Sequence, residues 1–221
     1  MIDVFENNIK NNQNFVFTKF GDGEIICMLG LYNDGDTNCD YQKYSIHLGE
    51  KLWQAARYFS NKESIYIGEW NDLFCEKFKA ELIKREINFQ YAPYDSVLHI
   101  EKENINDVVN FYKTLKSKPK KVYVCPERLH EAKDFLDCEM VYVNERDAFS
   151  DYENIKSKLI NTDATIYLYS CGLMSKVLIN DILQNNNNTT HIDIGSGLDN
   201  LFYDITRSYQ MSKEDVMKLY S

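Results

Sequence analysis

Short apolar, β-branched and aromatic runs alternate along this chain with stretches of helical periodicity. Phe15-Val16-Phe17-Thr18-Lys19-Phe20 predicts a strand, and Glu24-Ile25-Ile26-Cys27-Met28-Leu29 the apolar first turns of a helix. Ile46, Leu48, Leu52, Trp53, Ala55, Ala56 and Phe59 recur at close to the helical period, which predicts an amphipathic helix over 45–60. Further strands are expected at 64–70, 88–94, 121–125, 140–143, 164–169 and 191–196, and helices at 72–86, 104–116, 152–159, 173–183 and 212–219. Residues 2–13 read as a short helix covering the sheet beside the first strand. Pro126 suits the first position of a helix after strand 121–125, where its missing N–H is harmless. Strands alternating with helices over the whole length predict a single α/β domain spanning 1–221, Rossmann-like, with a mainly parallel sheet flanked by helices. No internal repeat interrupts the pattern.

The punctuation between these runs carries the candidate chemistry. Gly21-Asp22-Gly23 separates the first strand from its helix. Glycines there let the backbone approach a ligand closely, and the N–H groups of a new helix favour an anion. Asp22 and Glu24 in the same turn would repel a phosphate unless a divalent cation lay between them and its oxygens, so the pair reads as a Mn²⁺ or Mg²⁺ platform for a diphosphate. From spacing alone, Asp22 as a turn former and Glu24 as an ordinary first-turn helix residue are equally compatible. Two later strand ends also carry glycine, at Ser170-Cys171-Gly172 and at Asp193-Ile194-Gly195-Ser196. In an open parallel sheet, ligands collect beyond the carboxyl ends of strands, so these turns and Gly68-Glu69-Trp70 should border one crevice. The polar stretch 32–40 reads as a loop able to close over a sugar. Its alternating acids lack the Gly and Glu spacing of a calcium loop.

Lys19-Phe20-Gly21-Asp22-Gly23-Glu24 resembles the opening motif of the GT-D-type glycosyltransferases, in which an Asp-x-Glu pair holds a metal against a nucleotide-sugar diphosphate. That family usually has Arg where this chain has Lys19. The order of strand, polar loop (Asn144-Glu145-Arg146-Asp147) and helix at 140–159 is similar to the middle of that domain, with Arg146 near the donor phosphates. The Gly172 turn resembles the family's late glycine turn. His191-Ile192-Asp193-Ile194-Gly195-Ser196 resembles a strand near the end of these enzymes, and beyond Ser196 the chain departs from the family pattern. The resemblance implies a GT-D-type fold, Asp22 and Glu24 as metal ligands, and donor contacts from Lys19, Phe20, Gly21, Gly23, Gly172, Asp193, Gly195 and Ser196.

Charge narrows the partners. Asp and Glu number 34 against 25 Lys and Arg, a formal net charge of -9, which argues against broad nucleic-acid binding. The basic run at 116–121 reads as a solvated turn. No stretch approaches the ~18 uninterrupted apolar residues of a membrane span, and residues 1–6 lack a basic and apolar signal, so a cytoplasmic location is expected. Six cysteines without a CxxC pair read as buried thiols.

These readings combine into an expected metal-dependent glycosyltransferase of polysaccharide biosynthesis, moving a sugar from a nucleotide sugar, a UDP-sugar by preference, to a glycan or glycoprotein. Glu69, Asp199 and Glu127, near strand ends, are the ranked choices for a base that deprotonates the acceptor. Arg207 and Tyr209 are further residues expected to reach the cleft. A nucleotidyltransferase, a sugar-phosphate hydrolase and a non-catalytic nucleotide- or carbohydrate-binding module remain as alternatives, and a homo-oligomer is compatible with the sequence.

Overall fold

The apolar runs lie side by side in the computed structural model, which describes residues 1–38, 41–69, 73–93, 98, 104–203 and 212–220, the side chains of 73–75 and 219–220 excepted. In chain order the elements are α1 (Ile2–Lys10), β1 (Val16–Lys19), α2 (Asp22–Leu29), α3 (Ile46–Phe59), β2 (Ile65–Glu69), α4 (Leu73–Lys84), β3 (Gln90–Pro93) and α5 (Ile105–Lys116). They continue as β4 (Lys121–Pro126), α6 (Ala132–Leu136), β5 (Glu139–Val143), α7 (Tyr152–Ile160), β6 (Ile166–Tyr169), α8 (Met174–Asn185), β7 (Thr190–Asp193), α9 (Asp199–Phe202) and α10 (Lys213–Tyr220).

The seven strands among the described residues form one parallel sheet in the order β3-β2-β1-β7-β6-β4-β5. Strand alternation decides which side chains meet which helices. Val16, Ile65, Ile67, Val122, Val124, Tyr167 and Tyr169 face α2, α3, α4, α7 and α8. Phe15, Phe17, Tyr123, Cys125, Ile166, Leu168 and Ile192 face α1, α5, α6, α9 and α10. The predicted N-terminal helix covers the second face: Phe5 of α1 stacks on Phe15 with ring centroids 4.9 Å apart. Its polar asparagines leave a three-residue apolar stripe, Ile2, Phe5 and Ile9, which is what the helix buries.

Register aligns the strand ends. Lys19 pairs with Gly68, Tyr169 with Asp193, and Pro126 with Val143, so all these carboxyl ends open on one edge of the sheet. β1 connects outward to β2, while its other neighbour, β7, is reached through β6. Connections therefore diverge between β1 and β7, which is where an open parallel sheet leaves a crevice.

One local expectation changes. Pro126 is extended (φ -62°, ψ 151°) and closes β4; a 3-10 turn, Glu127–Leu129, follows it and α6 starts only at Ala132. β4 is buried along its whole length, and its pairing with β5 carries the strand through the proline. The cysteines described with side chains, Cys27, Cys125, Cys138 and Cys171, are buried free thiols, and burial pushes Cys27 up to about 11. No helix among the described residues is long and apolar enough to cross a membrane.

His191 of β7 is fully buried, stacked on Tyr167 at 5.0 Å, with its ring nitrogens 2.9 Å from the Tyr169 hydroxyl and 2.8 Å from Thr189 Oγ1. Burial pushes its pKa down from 6.5 to about 3. Between those values the unfolded chain binds a proton that the folded chain refuses, so this group removes stability as pH falls, by up to about 1.4 kcal/mol per pH unit. Urea unfolding between pH 7 and pH 4 is expected to show a shallower loss in His191→Gln than in the native chain; parallel profiles would contradict the assignment.

Candidate active site

At the β1/β7 crevice the strand ends surround a cavity of about 290 Å³. β1 and the start of α2 supply Lys19 and Gly21 to Glu24, β6 supplies Ser170 to Gly172, and β7 supplies Asp193, Gly195 and Ser196. Arg128, Glu145 and Asp199 line it as well, as do Asn38, Tyr41 and Gln42 from the loop after α2.

Part of the lining is built around the start of α2. Gly21 is its N-cap, and the Glu24 carboxylate reaches back to accept the Gly21 N–H (3.0 Å), the half of a capping box that a glycine permits. Asp22 is exposed and its Oδ1 accepts the Gly23 N–H at 2.8 Å. Glu24 is buried, and its Oε1 lies 2.5 Å from Nζ of Lys176 on α8. The same ammonium is 2.9 Å from Oδ2 of Asp193 and 3.4 Å from the Gly172 carbonyl. Asp193 Oδ2 also accepts from Thr18 Oγ1 (3.1 Å) and Ser175 Oγ (3.0 Å). Burial alone would lower the Lys176 pKa, but Asp193 and Glu24 outweigh it and hold it above the usual lysine range. Burial would raise Asp193, and the charges of Lys176 and Lys19 hold it below the usual aspartate value instead.

Two of the expected glycine turns are tight for identifiable reasons. Gly195 has φ +59°, and a Cβ there would fall 2.6 Å from Lys19 Nζ. Its carbonyl accepts from Ser170 Oγ (2.5 Å), itself bonded to the buried Tyr123 hydroxyl (2.6 Å). Gly172 has φ +58°, and a Cβ there would run into the Gln42 amide. Gln42 is buried; its Oε1 accepts the Leu173 N–H (2.9 Å) and its Nε2 donates to the Cys171 carbonyl (3.3 Å). The Leu173 N–H after this turn is thus already met by a side-chain amide.

Arg128 follows β4 in the 3-10 turn. Its NH1 donates to Glu145 (2.9 Å), its NH2 lies 3.4 Å from Asp199 Oδ2, and its Nε is buried without a hydrogen-bond partner. The guanidinium sits 4.8 Å from the exposed Tyr203 ring. Asp199, at the start of α9, is only 4% exposed; its backbone N–H donates to the Ser196 carbonyl (3.1 Å).

The remaining sequence candidates lie elsewhere. Phe20 turns away from the cavity into the core, 2% exposed and stacked on Phe89 at 5.6 Å, so as a donor contact it is corrected to a packing residue. Glu69 is not part of the lining and pairs with Lys79 at 2.7 Å. Glu127 is exposed on the 3-10 turn outside the lining, and Arg146 lies over the Tyr41 ring at 5.5 Å, also outside it. Trp70, Cys39, Asp40, Arg207 and Tyr209 lie outside the described residues. Lys176, Gln42, Arg128 and Glu145 are the residues sequence reasoning passed over. Lys176 had one signal: it is the lone cation in the apolar run 173–183.

Asp22 and Glu24 do not fit a divalent cation as a pair. Both Glu24 oxygens are engaged, one by an ammonium, and no cluster of three or more His, Cys, Asp or Glu suited to a metal occurs among the described residues. Asp22 forms no ion pair among the described residues and remains compatible with one ion shared with substrate oxygens.

No family model matches the chain, and no curated protein does. Among solved structures it is similar to one described as the highly conserved domain of unknown function 1792, which has a distinct glycosyltransferase fold. The TM-score is 0.61 at 19% identity, over 100% of this chain and 87% of that one. The likeness is one of fold: a single α/β domain whose seven parallel strands are flanked by helices as in a glycosyltransferase.

Proposed function

We propose that the protein transfers a sugar from a nucleoside diphosphate sugar, a UDP-sugar by preference, to a hydroxyl of a glycan or glycoprotein. The observation that carries this reading is a cavity at the switch point of a glycosyltransferase fold, lined by Lys19, the start of α2 and Asp199 together. Lys19 and the start of α2 would receive the diphosphate, where an ammonium and a helix N-terminus offset its charge. About 290 Å³ is at the lower end of ligand pockets, roughly 300 Å³, and suits a diphosphate with one sugar ring. The nucleoside would then extend past the mouth, where Tyr41 and Tyr203 expose rings for stacking.

Asp199 is the acid best placed for the acceptor. Its carboxylate would take the proton from the acceptor hydroxyl as that oxygen bonds to the anomeric carbon. The bond from that carbon to the diphosphate oxygen breaks with its electron pair leaving on the phosphate. Lys19 would stabilise the charge that collects there, as a point charge rather than through the paired hydrogen bonds an Arg would make.

Thermal unfolding against a panel of nucleotides and nucleotide sugars tests the reading. A donor at about 100 times its Kd adds about 2.7 kcal/mol, or roughly 5–10 °C in a chain of this size. Lys19→Met should remove most of that shift, and UDP should appear with a lengthened acceptor. Release of pyrophosphate or inorganic phosphate would point instead to a nucleotidyltransferase or hydrolase. A ligand shift without turnover against a glycan library would point to a binding module.

A further inference from the structure

We infer that Lys176 is a built-in cation occupying the place a divalent ion would take between Glu24 and Asp193, so that Glu24 is a strut fixing the start of α2 and not a metal ligand. An ammonium has three protons, and three acceptors surround this one: Glu24 Oε1 at 2.5 Å, Asp193 Oδ2 at 2.9 Å and the Gly172 carbonyl at 3.4 Å. Lys176, Glu24 and Asp193 are 2%, 7% and 1% exposed, so none of these contacts is a surface pair weakened by water. The second Glu24 oxygen holds the Gly21 N–H, leaving neither oxygen for an ion without breaking a contact that shapes the turn.

Charge balance leads to the same assignment. Two carboxylates, Glu24 and Asp193, are matched by two lysines, Lys176 and Lys19, whose charge also acts on Asp193. This group of four charges is neutral before any substrate arrives, and the exposed Asp22 stands outside it. A divalent ion seated on Glu24 would have to evict a buried lysine, stranding its charge in the core. The ammonium stands on α8 and its three acceptors belong to α2, β7 and the turn before α8, so it ties together elements that frame the cavity.

The test reads Mn²⁺ binding by electron paramagnetic resonance and thermal unfolding on the full chain, with Mn²⁺ alone and with Mn²⁺ plus UDP. Because the Mn²⁺-alone arms need no donor, they can fail independently of the transferase reading. Glu24→Gln is expected to lower Tm by about 10 °C without metal. Any Mn²⁺ affinity of the native chain should be unchanged in this variant within about twofold, while Asp22→Asn abolishes it. Lys176→Met leaves two buried carboxylates facing one gap. It is expected to gain Mn²⁺ binding and to recover Tm on adding Mn²⁺, as the native chain does not. A native chain that binds no Mn²⁺ alone agrees with the inference. Loss of Mn²⁺ affinity by about tenfold or more in Glu24→Gln, with Tm unchanged, would overturn it and make Glu24 a ligand. If Lys176→Met does not fold, the Glu24→Gln comparison decides alone.

Discussion

Asp199→Asn is expected to cut kcat for sugar transfer by about 10²–10⁴, the range for losing a general base, while the Kd of the nucleotide stays within about twofold. Asparagine keeps the shape of the side chain and one oxygen for Arg128, but cannot take the acceptor proton. The carboxylate lies in the cavity wall, its backbone is anchored to the Ser196 carbonyl, and Arg128 approaches it at 3.4 Å. Arg128 NH2 lies 3.5 Å and 3.4 Å from the two carboxylate oxygens, long for charged hydrogen bonds, and so orients the carboxylate. Glu69→Gln is the internal comparison: its carboxylate serves Lys79 outside the cavity and should leave kcat within about twofold. A loss under about tenfold in Asp199→Asn, or an equal loss in Glu69→Gln, would move the base elsewhere.

Phe20→Ala is expected to cost about 3–5 kcal/mol of stability with little change in donor affinity of the folded fraction. Phe20 stacks on Phe89 and lies within 5.8 Å of Phe78 and 6.5 Å of Phe59, ring centre to ring centre. Removing it opens a cavity among rigid rings that cannot collapse readily. Urea unfolding gives the stability and titration calorimetry the affinity. The opposite pattern, a raised Kd with unfolding unchanged, would return Phe20 to the donor site.

Phe20 also shows where sequence legibility ends. The resemblance assigned the whole stretch Lys19 to Glu24 to one ligand, yet consecutive strand residues point to opposite sides. Lys19 lines the cavity and Phe20 enters the core. The strand–turn–helix at Gly21 to Glu24 folds as expected, and alternation within the strand sends Val16 and Phe17 to different helices. The start of the helix expected over 45–60 was legible too, and in the structure Ser45 caps α3 there by accepting the Leu48 N–H. Contacts set by chain crossing were not. Gln42 sits in a polar loop and reaches a turn far away in sequence, while Arg128 follows an apolar strand with nothing nearby to mark it. Lys176 stood out only as a charge among apolar neighbours, and its partners, residues 24 and 193, come from opposite ends of the sequence. No local period encodes such pairs.

The place of β1 in the sheet also sets the order in which the molecule can assemble on the ribosome. β1 lies between β2 and β7, so one of its edges is paired early and the other must wait until Thr190–Asp193 has been made. At about 5–20 residues per second that delay is roughly 10–35 seconds, during which a central strand edge stays open in the nascent chain. Lys176 and Asp193 are missing over much of the same interval, and Glu24 has no counter-charge to hold it. Chains released before residue 190 should therefore expose an adhesive edge and carry no pocket, which makes late truncation more damaging to solubility than its length suggests.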